Sequence, residues 1–156
     1  MAVNYKLDWA TAADTFELAD VVFDAVRNGA SKYSEAQRAA WVPERRSGSE
    51  WEQRLARQAI TVVRDGQSIL GFMSLEPGGY IDFAFIRPES QGAGVFRQLF
   101  AQIEGKARAQ GEARLWVHAS LMAEPAFFAV GFAVIERQIV EIGNESFHRT
   151  QMEKLL

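Results

Sequence analysis

Residues 87–99 read Arg-Pro-Glu-Ser-Gln-Gly-Ala-Gly-Val-Phe-Arg-Gln-Leu. This stretch follows an apolar run, Tyr80 to Ile86, that is typical of a buried strand, and it leads into apolar residues at helical spacing. A helix start leaves backbone N–H groups without partners and carries a partial positive charge. Gly92 and Gly94 allow the backbone to turn tightly and to approach a ligand closely. The stretch therefore predicts a strand, a glycine loop and a helix that form a cradle for a phosphate or pyrophosphate.

Two phosphate loops with known signatures do not fit this cradle. The P-loop ends in Gly-Lys followed by Ser or Thr, and the chain has no such ending. The dinucleotide fingerprint G-x-G-x-x-G requires a third glycine, but residues 92–94, Gly-Ala-Gly, are followed by Val-Phe-Arg. That fingerprint also belongs to an early βαβ unit, whereas this loop lies past the middle of the chain.

The loop resembles instead the acetyl-CoA loop of the GNAT superfamily of N-acetyltransferases, which has the pattern Gln/Arg-x-x-Gly-x-Gly/Ala. Gln91 and Gly94 occupy the first and fourth positions, and Phe96 stands where a small residue is usual. The resemblance implies that acetyl-CoA is the co-substrate and that its pyrophosphate meets the backbone amides of the loop. The residues implied in this contact are Gln91, Gly92, Ala93, Gly94, Val95, Phe96 and Arg97.

A second stretch, residues 115–132, supports the same resemblance. It looks like the family signature Asn-x-x-Ala-x-x-x-Tyr-x-x-x-Gly-Phe, with Ser120 at the Asn position and Ala123 at the Ala position. Phe127 takes the place of the tyrosine that protonates the leaving thiolate in many members, and a phenylalanine donates no proton. Water, Ser120 or another tyrosine would then supply that proton. Both Ser120 and Phe127 are expected beside the cofactor.

Composition narrows the class of protein. The chain has 156 residues, which fits one domain with a sizeable core, and its 48% hydrophobic and 24% charged residues are typical of a globular protein. A formal charge of −3 argues against nucleic acid as the main partner. The absence of cysteine excludes disulfides, thiolate catalysis and cysteine metal sites. No apolar run approaches the roughly 18 residues of a membrane span, so we expect a soluble, cytoplasmic protein with no membrane partner.

The hydrophobic pattern predicts an alternation of strands and helices, with Asp65-Gly66 as a strong hairpin signal and Gly111 as a helix C-cap. Ser34 and Ser49 are the predicted N-caps of the second and third helices. The order predicts an α+β fold in a single domain over residues 1–156: a mixed, mostly antiparallel twisted sheet with helices on both faces. The predicted strands are 5–9, 60–64, 68–76, 80–86, 113–119, 132–142 and 146–154, and the predicted helices are 14–27, 34–41, 50–58, 94–110 and 123–130.

A GNAT fold would make strands 80–86 and 113–119 run parallel and splay apart. The resemblance implies that the pantetheine arm lies in this gap like an added strand, where its amides satisfy the open edge hydrogen bonds of Phe85 and Ile86. Residues 33–43 and the C-terminal segment also resemble a bacterial subgroup of largely unassigned substrate. The resemblance therefore covers nearly the whole chain.

Acetyl transfer to an amine needs a proton acceptor. A lysine-like amine has a pKa of about 10.4, so only about one molecule in 2,500 is free base at pH 7, and supplying that form costs about 4–5 kcal/mol. Asp82 is the first candidate base, because the resemblance places the base of many members in its strand. A structural carboxylate bonded to the backbone or to an arginine is the alternative for Asp82. His118 is the second candidate, since an ordinary histidine pKa near 6.5 suits base catalysis; a hydrogen-bonded structural histidine is the alternative for it. Tyr80 is the third candidate catalytic residue, because it shares the face of Asp82 by strict strand alternation.

Tyr33 and Trp41 are expected to line the acceptor site, because the segment after the first helix covers the acceptor side in this fold. The chain is therefore predicted to move an acetyl group from acetyl-CoA to a primary amine by direct transfer, without a metal. The acceptor is a small molecule or a peptide amine, and its identity and the oligomeric state, including a homodimer, are left open. The alternative is a catalytically weak acyl-CoA sensor or a partner-binding module on the same fold, because Phe127 cannot act as the acid.

Overall fold

The computed structural model describes residues 5–156, which form five α-helices and eight strands. The strands are β1 (Tyr5–Trp9), β2 (Ala59–Asp65), β3 (Ser68–Leu75), β4 (Tyr80–Ile81), β5 (Ala84–Ile86), β6 (Arg114–Ser120), β7 (Ala133–Ile142) and β8 (Glu145–Leu155). The helices are α1 (Thr15–Asn28), α2 (Glu35–Trp41), α3 (Gly48–Ala56), α4 (Val95–Ala109) and α5 (Glu124–Ala129). Within this range no helix is both long enough and apolar enough to cross a membrane.

Hydrogen bonding divides the strands into two four-stranded sheets. The first has the order β1-β2-β3-β5 and is antiparallel throughout. The second has the order β4-β6-β8-β7, and β4 and β6 are its parallel pair. The predicted mixed, mostly antiparallel arrangement with one splayed parallel pair is confirmed.

The chain leaves the second sheet and enters the first within two residues. β4 pairs with β6, and β5 pairs with β3 from Ala84 onwards. Between them, Ser74 holds Phe83 in both directions: the Ser74 N–H donates to the Phe83 carbonyl, and the Phe83 N–H donates to Ser74 Oγ, each at 2.9 Å. The prediction of one strand over residues 80–86 is therefore wrong, because β6 binds only the first end of this segment and β3 only the second.

Helices cover both faces because the central strands carry apolar side chains on both sides. One core lies under α4, where Leu99 and Ile103 pack with apolar residues of β3 and β6. The other lies under α1 and α3, where Val22 and Leu55 pack with Phe72 and its neighbours. After its exposed first residue, β3 is buried on both sides. The helices on both faces were predicted, and they hold the two sheets edge to edge.

Element ends agree with the predictions to within two residues outside the 80–86 segment. Ser34 caps α2 as predicted: its hydroxyl accepts from the Gln37 N–H, and the Gln37 side chain accepts from the Ser34 N–H. The predicted cap Ser49 of the next helix is wrong. α3 begins at Gly48 with Ser47 as the residue before it, and the Ser47 side chain makes no cap hydrogen bond.

The substitution Ser74→Ala should destabilise the fold at the break between the sheets. Ser74 is fully buried, and removing its hydroxyl leaves the Phe83 N–H without its acceptor. We expect a loss of about 1–3 kcal/mol in the free energy of unfolding, measured by urea denaturation. The control Ser68→Ala, at the exposed start of the same strand, should stay within about 0.5 kcal/mol of the wild type. Equal midpoints for the two variants would contradict the role given to Ser74.

Candidate functional site

A cleft of about 410 Å³ opens where β5 and β6 part. One wall is β5 with the start of α4, the opposite wall is the end of β6 with α5, and the end of α1 with Trp41 closes the side. Of the predicted cofactor residues, those lining the cleft are Phe85, Ile86, Gln91, Gly92, Gly94, Val95, Phe96, Arg97 and Ser120. Ala93 and Phe127 are not part of the lining formed by the described residues.

The glycine loop presents backbone amides to this cleft. Gly92 and Gly94 have φ angles of +79° and +80°, in the left-handed region that favours glycine. No side chain caps α4 at Gly94, so the N–H groups of residues 95–97 lack intrahelical acceptors. A Cβ placed at either glycine meets no atom within 4 Å. Backbone conformation, rather than crowding, therefore requires glycine at both positions, and the space beside them is open.

The edge of β5 has free hydrogen-bonding groups in the gap. The residues on either side of this strand, Phe83 and Arg87, both bond to β3. Because hydrogen bonds alternate along an antiparallel strand, the backbone of Phe85 also faces β3, whereas the backbone groups of Ala84 and Ile86 face the gap. Two residues of β5 thus offer an unpaired edge toward the end of β6.

The predicted open backbone edge at Phe85 is therefore wrong, and Ala84 takes that place because the register turns Phe85 toward β3. Phe85 still lines the cleft. The Gln91 side-chain amide reaches the Ile86 carbonyl at 3.3 Å, which shows that this carbonyl points into the gap and toward the glycine loop.

Two of the positions at which the sequence departs from the GNAT pattern, Phe96 and Phe127, contact each other. The ring of Phe127 is 1% exposed, and its centroid lies 5.1 Å from that of Phe96 and 5.0 Å from that of Phe132. Phe96 lines the cleft, so Phe127 lies one layer behind it. A bulky ring at position 96 thus packs on a ring at position 127 that has no hydroxyl.

Tyr80 and His118 form a pair beside the hydrogen-bonded part of β4 and β6, and neither residue belongs to the described lining of the cleft. Tyr80 Oη lies 2.9 Å from His118 Nδ1, and the Trp116 ring lies 4.4 Å from that of Tyr80. Burial, with the charge of Arg149 as the second cause, lowers the pKa of His118, so its ring is neutral at pH 7. Burial, with the Asp82 charge as the second cause, raises the pKa of Tyr80, which remains a neutral phenol.

Both carboxylate oxygens of Asp82 accept hydrogen bonds from Arg54 of α3 and from Gln58, which lies two residues beyond the end of that helix. Arg54 donates through Nε and Nη2 to the two oxygens at 2.8 Å each, and Gln58 Nε2 donates to Oδ2 at 2.7 Å. The Arg54 guanidinium also lies 4.4 Å above the Phe83 ring. This arrangement matches the structural alternative for Asp82, a carboxylate bonded to an arginine. A bidentate arginine pair is among the strongest charge-assisted contacts, so these lone pairs are not free for a substrate proton.

The two residues expected at the acceptor site have different surroundings. Trp41 lines the cleft and packs edge to face on Tyr33, with centroids 5.9 Å apart. Tyr33 is 7% exposed; its hydroxyl donates to the His148 carbonyl and accepts from the Leu121 N–H. Tyr33 therefore ties the segment after α1 to the ends of β6 and β8, and only Trp41 of the two faces the cleft.

Sequence reasoning missed part of the cleft. Its other lining residues are Ala25, Val26, Ala30, Ser31, Ala84, Met122, Ala123, Ala126, Ala129 and Val130. Most are small apolar residues whose spacing predicts only a buried helix face, so the sequence holds no chemical signal for them. Among residues 5–156, no group of three or more His, Asp or Glu side chains is placed to hold a metal ion.

The family model described as "Acetyltransferase (GNAT) domain" matches residues 29–156. The chain is also 33% identical over 129 residues to YafP of Escherichia coli strain K12, an uncharacterized N-acetyltransferase, with 82% of this chain and 81% of YafP covered.

Solved structures have the same fold. A GCN5-related N-acetyltransferase from Rhodopseudomonas palustris, described as "Aminotransferase, Class-II", is 26% identical with a TM-score of 0.88, over 100% of this chain and 99% of that one. PaiA N-acetyltransferase from Thermoplasma acidophilum, in complex with coenzyme A, is 16% identical with a TM-score of 0.78, over 98% and 99% of the chains. YncA from Salmonella typhimurium, with its cofactor acetyl-CoA, is 19% identical with a TM-score of 0.69, over 97% and 94%. The family match and the YafP likeness, on a fold with this cleft, show that the chain belongs to the GNAT family of acetyltransferases.

Proposed function

We propose that this protein is an N-acetyltransferase that moves the acetyl group of acetyl-CoA directly to a primary amine. The observation that carries the proposal is the cleft between β5 and β6, with free N–H groups at the start of α4 and an unpaired strand edge along one wall. The coenzyme A bound by PaiA and the acetyl-CoA bound by YncA support the same ligand for this cleft.

The described residues fit the chemistry of each part of this ligand. The N–H groups at the glycine loop and the start of α4 would hold the pyrophosphate, and Arg97 would add a positive charge. The backbone groups of Ala84 and Ile86 would pair with the amides of the pantetheine arm, as an added strand does. The Ala84 N–H would also polarise the thioester carbonyl, because it faces the gap near its closed end.

His118 is the proposed base. In the transfer, the amine nitrogen bonds to the acetyl carbon, the bond from that carbon to sulfur breaks, and the amine loses a proton. The lowered pKa of His118 keeps its ring neutral and able to take this proton at pH 7. When Nδ1 carries the hydrogen and donates to Tyr80 Oη, Nε2 is the free acceptor. Tyr80 then acts by orienting the ring.

Asp82 is proposed to fix the backbone between β4 and β5 and to supply a negative charge near Tyr80. Its hydrogen bonds to Arg54 and Gln58 fix the residue that follows β4. The proton for the leaving thiolate would come from water or Ser120, which lines the cleft. A thiol with a pKa of about 8.5 is a tolerable leaving group, so the missing tyrosine slows this step without abolishing it.

The substitution Gly94→Ala should weaken acetyl-CoA binding at least tenfold, because a left-handed angle disfavours a Cβ and the loop must shift its N–H groups. Isothermal titration calorimetry measures the affinity. The matched control is Gly111→Ala at the other end of the same helix, where φ is +76° and the space is equally open. The control suffers the same backbone strain and should keep the wild-type affinity. If both variants bind acetyl-CoA equally well, the loop is not the pyrophosphate site.

The pH dependence should identify the base. His118 must be neutral to act as the base, and burial and the charge of Arg149 lower its pKa. We therefore expect kcat/KM to rise with pH through a midpoint below 6.5, so that the enzyme loses activity only below that midpoint. Arg149→Gln removes one of the two causes and should move this midpoint to higher pH. Thiol release between pH 5 and 8 measures the profile, with Arg108→Gln on the exposed face of α4 as a control for the same change in net charge.

His118→Asn keeps a polar group beside Tyr80 and removes the base, so it should lower kcat by roughly 10²–10⁴ and abolish the acidic midpoint. The acceptor's own titration is common to all variants, so the difference between profiles isolates His118. Activity within a few-fold of the wild type would rule out His118. If Asp82→Asn then lost activity without loss of stability, Asp82 would take the role.

Phe127→Tyr tests whether the missing hydroxyl limits turnover. Alone, it places a hydroxyl behind Phe96, so we expect a gain in kcat mainly in the double variant Phe96→Ala/Phe127→Tyr, which opens the path to the cleft. The control Phe132→Tyr adds a hydroxyl to the same buried cluster and should give no gain. Identical pH–rate curves for a folded double variant and the wild type would place Phe127 away from the leaving group.

A further inference from the structure

A second cavity, of about 330 Å³, lies between the segment 42–47 and α3. It shares no lining residue with the first cleft among the described residues. Three arginines line it, together with two exposed glutamates. Its walls are thus rich in cations, in a protein whose formal net charge is −3.

Two of these three arginines already have carboxylate partners. Arg45 donates to Asp20 at 2.6 Å and lies 4.6 Å from the Phe23 ring centroid. Arg54 forms the bidentate pair with Asp82. Neither guanidinium needs a further anion.

Arg46 is different. Within residues 5–156 it forms no ion pair, and its Nε is shielded from solvent without a hydrogen-bond acceptor. Its side chain is half-buried, and burial, with the Arg54 charge as the second cause, lowers its pKa, while the charge of Asp82 acts in the opposite direction. A partly buried guanidinium with an unpaired N–H is costly and is compensated when an anion binds it.

The start of α3 adds neutral donors to the same cavity. Ser47 precedes the helix and lines the cavity, and its side chain makes no cap hydrogen bond. The Ser47 side chain therefore leaves the first N–H groups of the helix uncapped, and the helix dipole favours a negative charge at this end, where Glu50 stands in the first turn. The cavity thus combines one unpaired guanidinium with an uncapped helix start.

Arg54 joins this cavity to the proposed reaction centre. Its guanidinium lines the cavity and grips Asp82, which follows β4 directly. The charges of Arg54 and Asp82 both act on the Tyr80 phenol, which bonds to His118. The cavity and the Tyr80–His118 pair are thus both neighbours of the Arg54–Asp82 ion pair.

We propose that the acceptor carries an anionic group, a carboxylate or a phosphate, which binds Arg46 at the start of α3. This inference rests on the proposed acetyl transfer and adds the class of amine: one whose acidic group is separated from the amine by a spacer. An arginine without an ion pair among the described residues suits a planar carboxylate or a phosphate, since its guanidinium can donate two parallel hydrogen bonds to either anion.

The kinetic test uses amines matched in length: 5-aminopentanoate and 4-aminobutyl phosphate against pentylamine, at fixed acetyl-CoA. The wild type should prefer the anionic amines at least tenfold in kcat/KM. Arg46→Gln should abolish this preference through KM, leave the rate with pentylamine unchanged, and leave acetyl-CoA affinity unchanged. Arg46→Lys should restore part of the preference for anionic amines. The control Arg57→Gln, at the exposed end of α3, should show the same preference as the wild type. The ratio of kcat/KM for 5-aminopentanoate to kcat/KM for 4-aminobutyl phosphate shows which of the two anions the site prefers.

A binding test is independent of turnover. The ¹⁵N–¹H resonance of Arg46 Nε should shift on titration with sodium glutarate or inorganic phosphate at constant ionic strength, and should not respond to matched chloride. No shift with either anion would overturn the proposal even if the enzyme transfers acetyl groups. Equal preference for charged and neutral amines in the wild type and Arg46→Gln would overturn it as well. A shift without acetyl transfer to any amine would instead refute the proposed function and leave the anion site standing.

Discussion

The double hydrogen bond between Ser74 and Phe83 is the contact on which the rest of this structure depends. It draws the chain away from β6 and onto β3 immediately after β4, so that two sheets are formed and a gap opens between β5 and β6. Without this transfer, residues 80–86 would continue along β6 and close the cleft. The β5 edge at Ala84 and Ile86 is free because the chain changes partners, and the proposed contacts with the pantetheine arm follow from that change.

The polar residues between β4 and β5 and beside them form two pairs with different electrostatic surroundings and different roles. The Asp82–Arg54 pair fixes the backbone after β4, since three hydrogen bonds occupy the carboxylate. The Tyr80–His118 pair has no such clamp, and burial keeps both groups neutral. A neutral imidazole with one nitrogen free is suited to take a proton, whereas a carboxylate held by a guanidinium is suited to hold a loop. Asp82 and His118 were both candidates for the base, and their surroundings distinguish them.

Much of the fold followed from local rules. The alternation of apolar residues gave nearly every element to within two residues, and the Asp65-Gly66 turn and the Ser34 cap act through neighbours in sequence. The glycine loop was equally readable, because a left-handed angle at Gly94 is a requirement of the residue itself. The break between β4 and β5 could not be predicted, because residues 80–86 are uniformly apolar or aromatic apart from Asp82. Both β3 and β6 compete for this segment.

The sequence by itself determined that a helix start with a glycine loop follows a buried strand, and with it the place of the proposed pyrophosphate contacts. The periodicity of apolar residues and the φ preference of glycine act within a few residues, so both can be predicted from the amino-acid sequence. Only the tertiary structure decided what each charged or aromatic side chain meets. Asp82 is bound by Arg54, which is 28 positions away in the sequence, and the Tyr33 hydroxyl is bound by the Leu121 N–H, which is 88 positions away. Arg46, by contrast, is bound by none of the described carboxylates. Such contacts depend on how distant segments pack, and packing is a property of the whole chain.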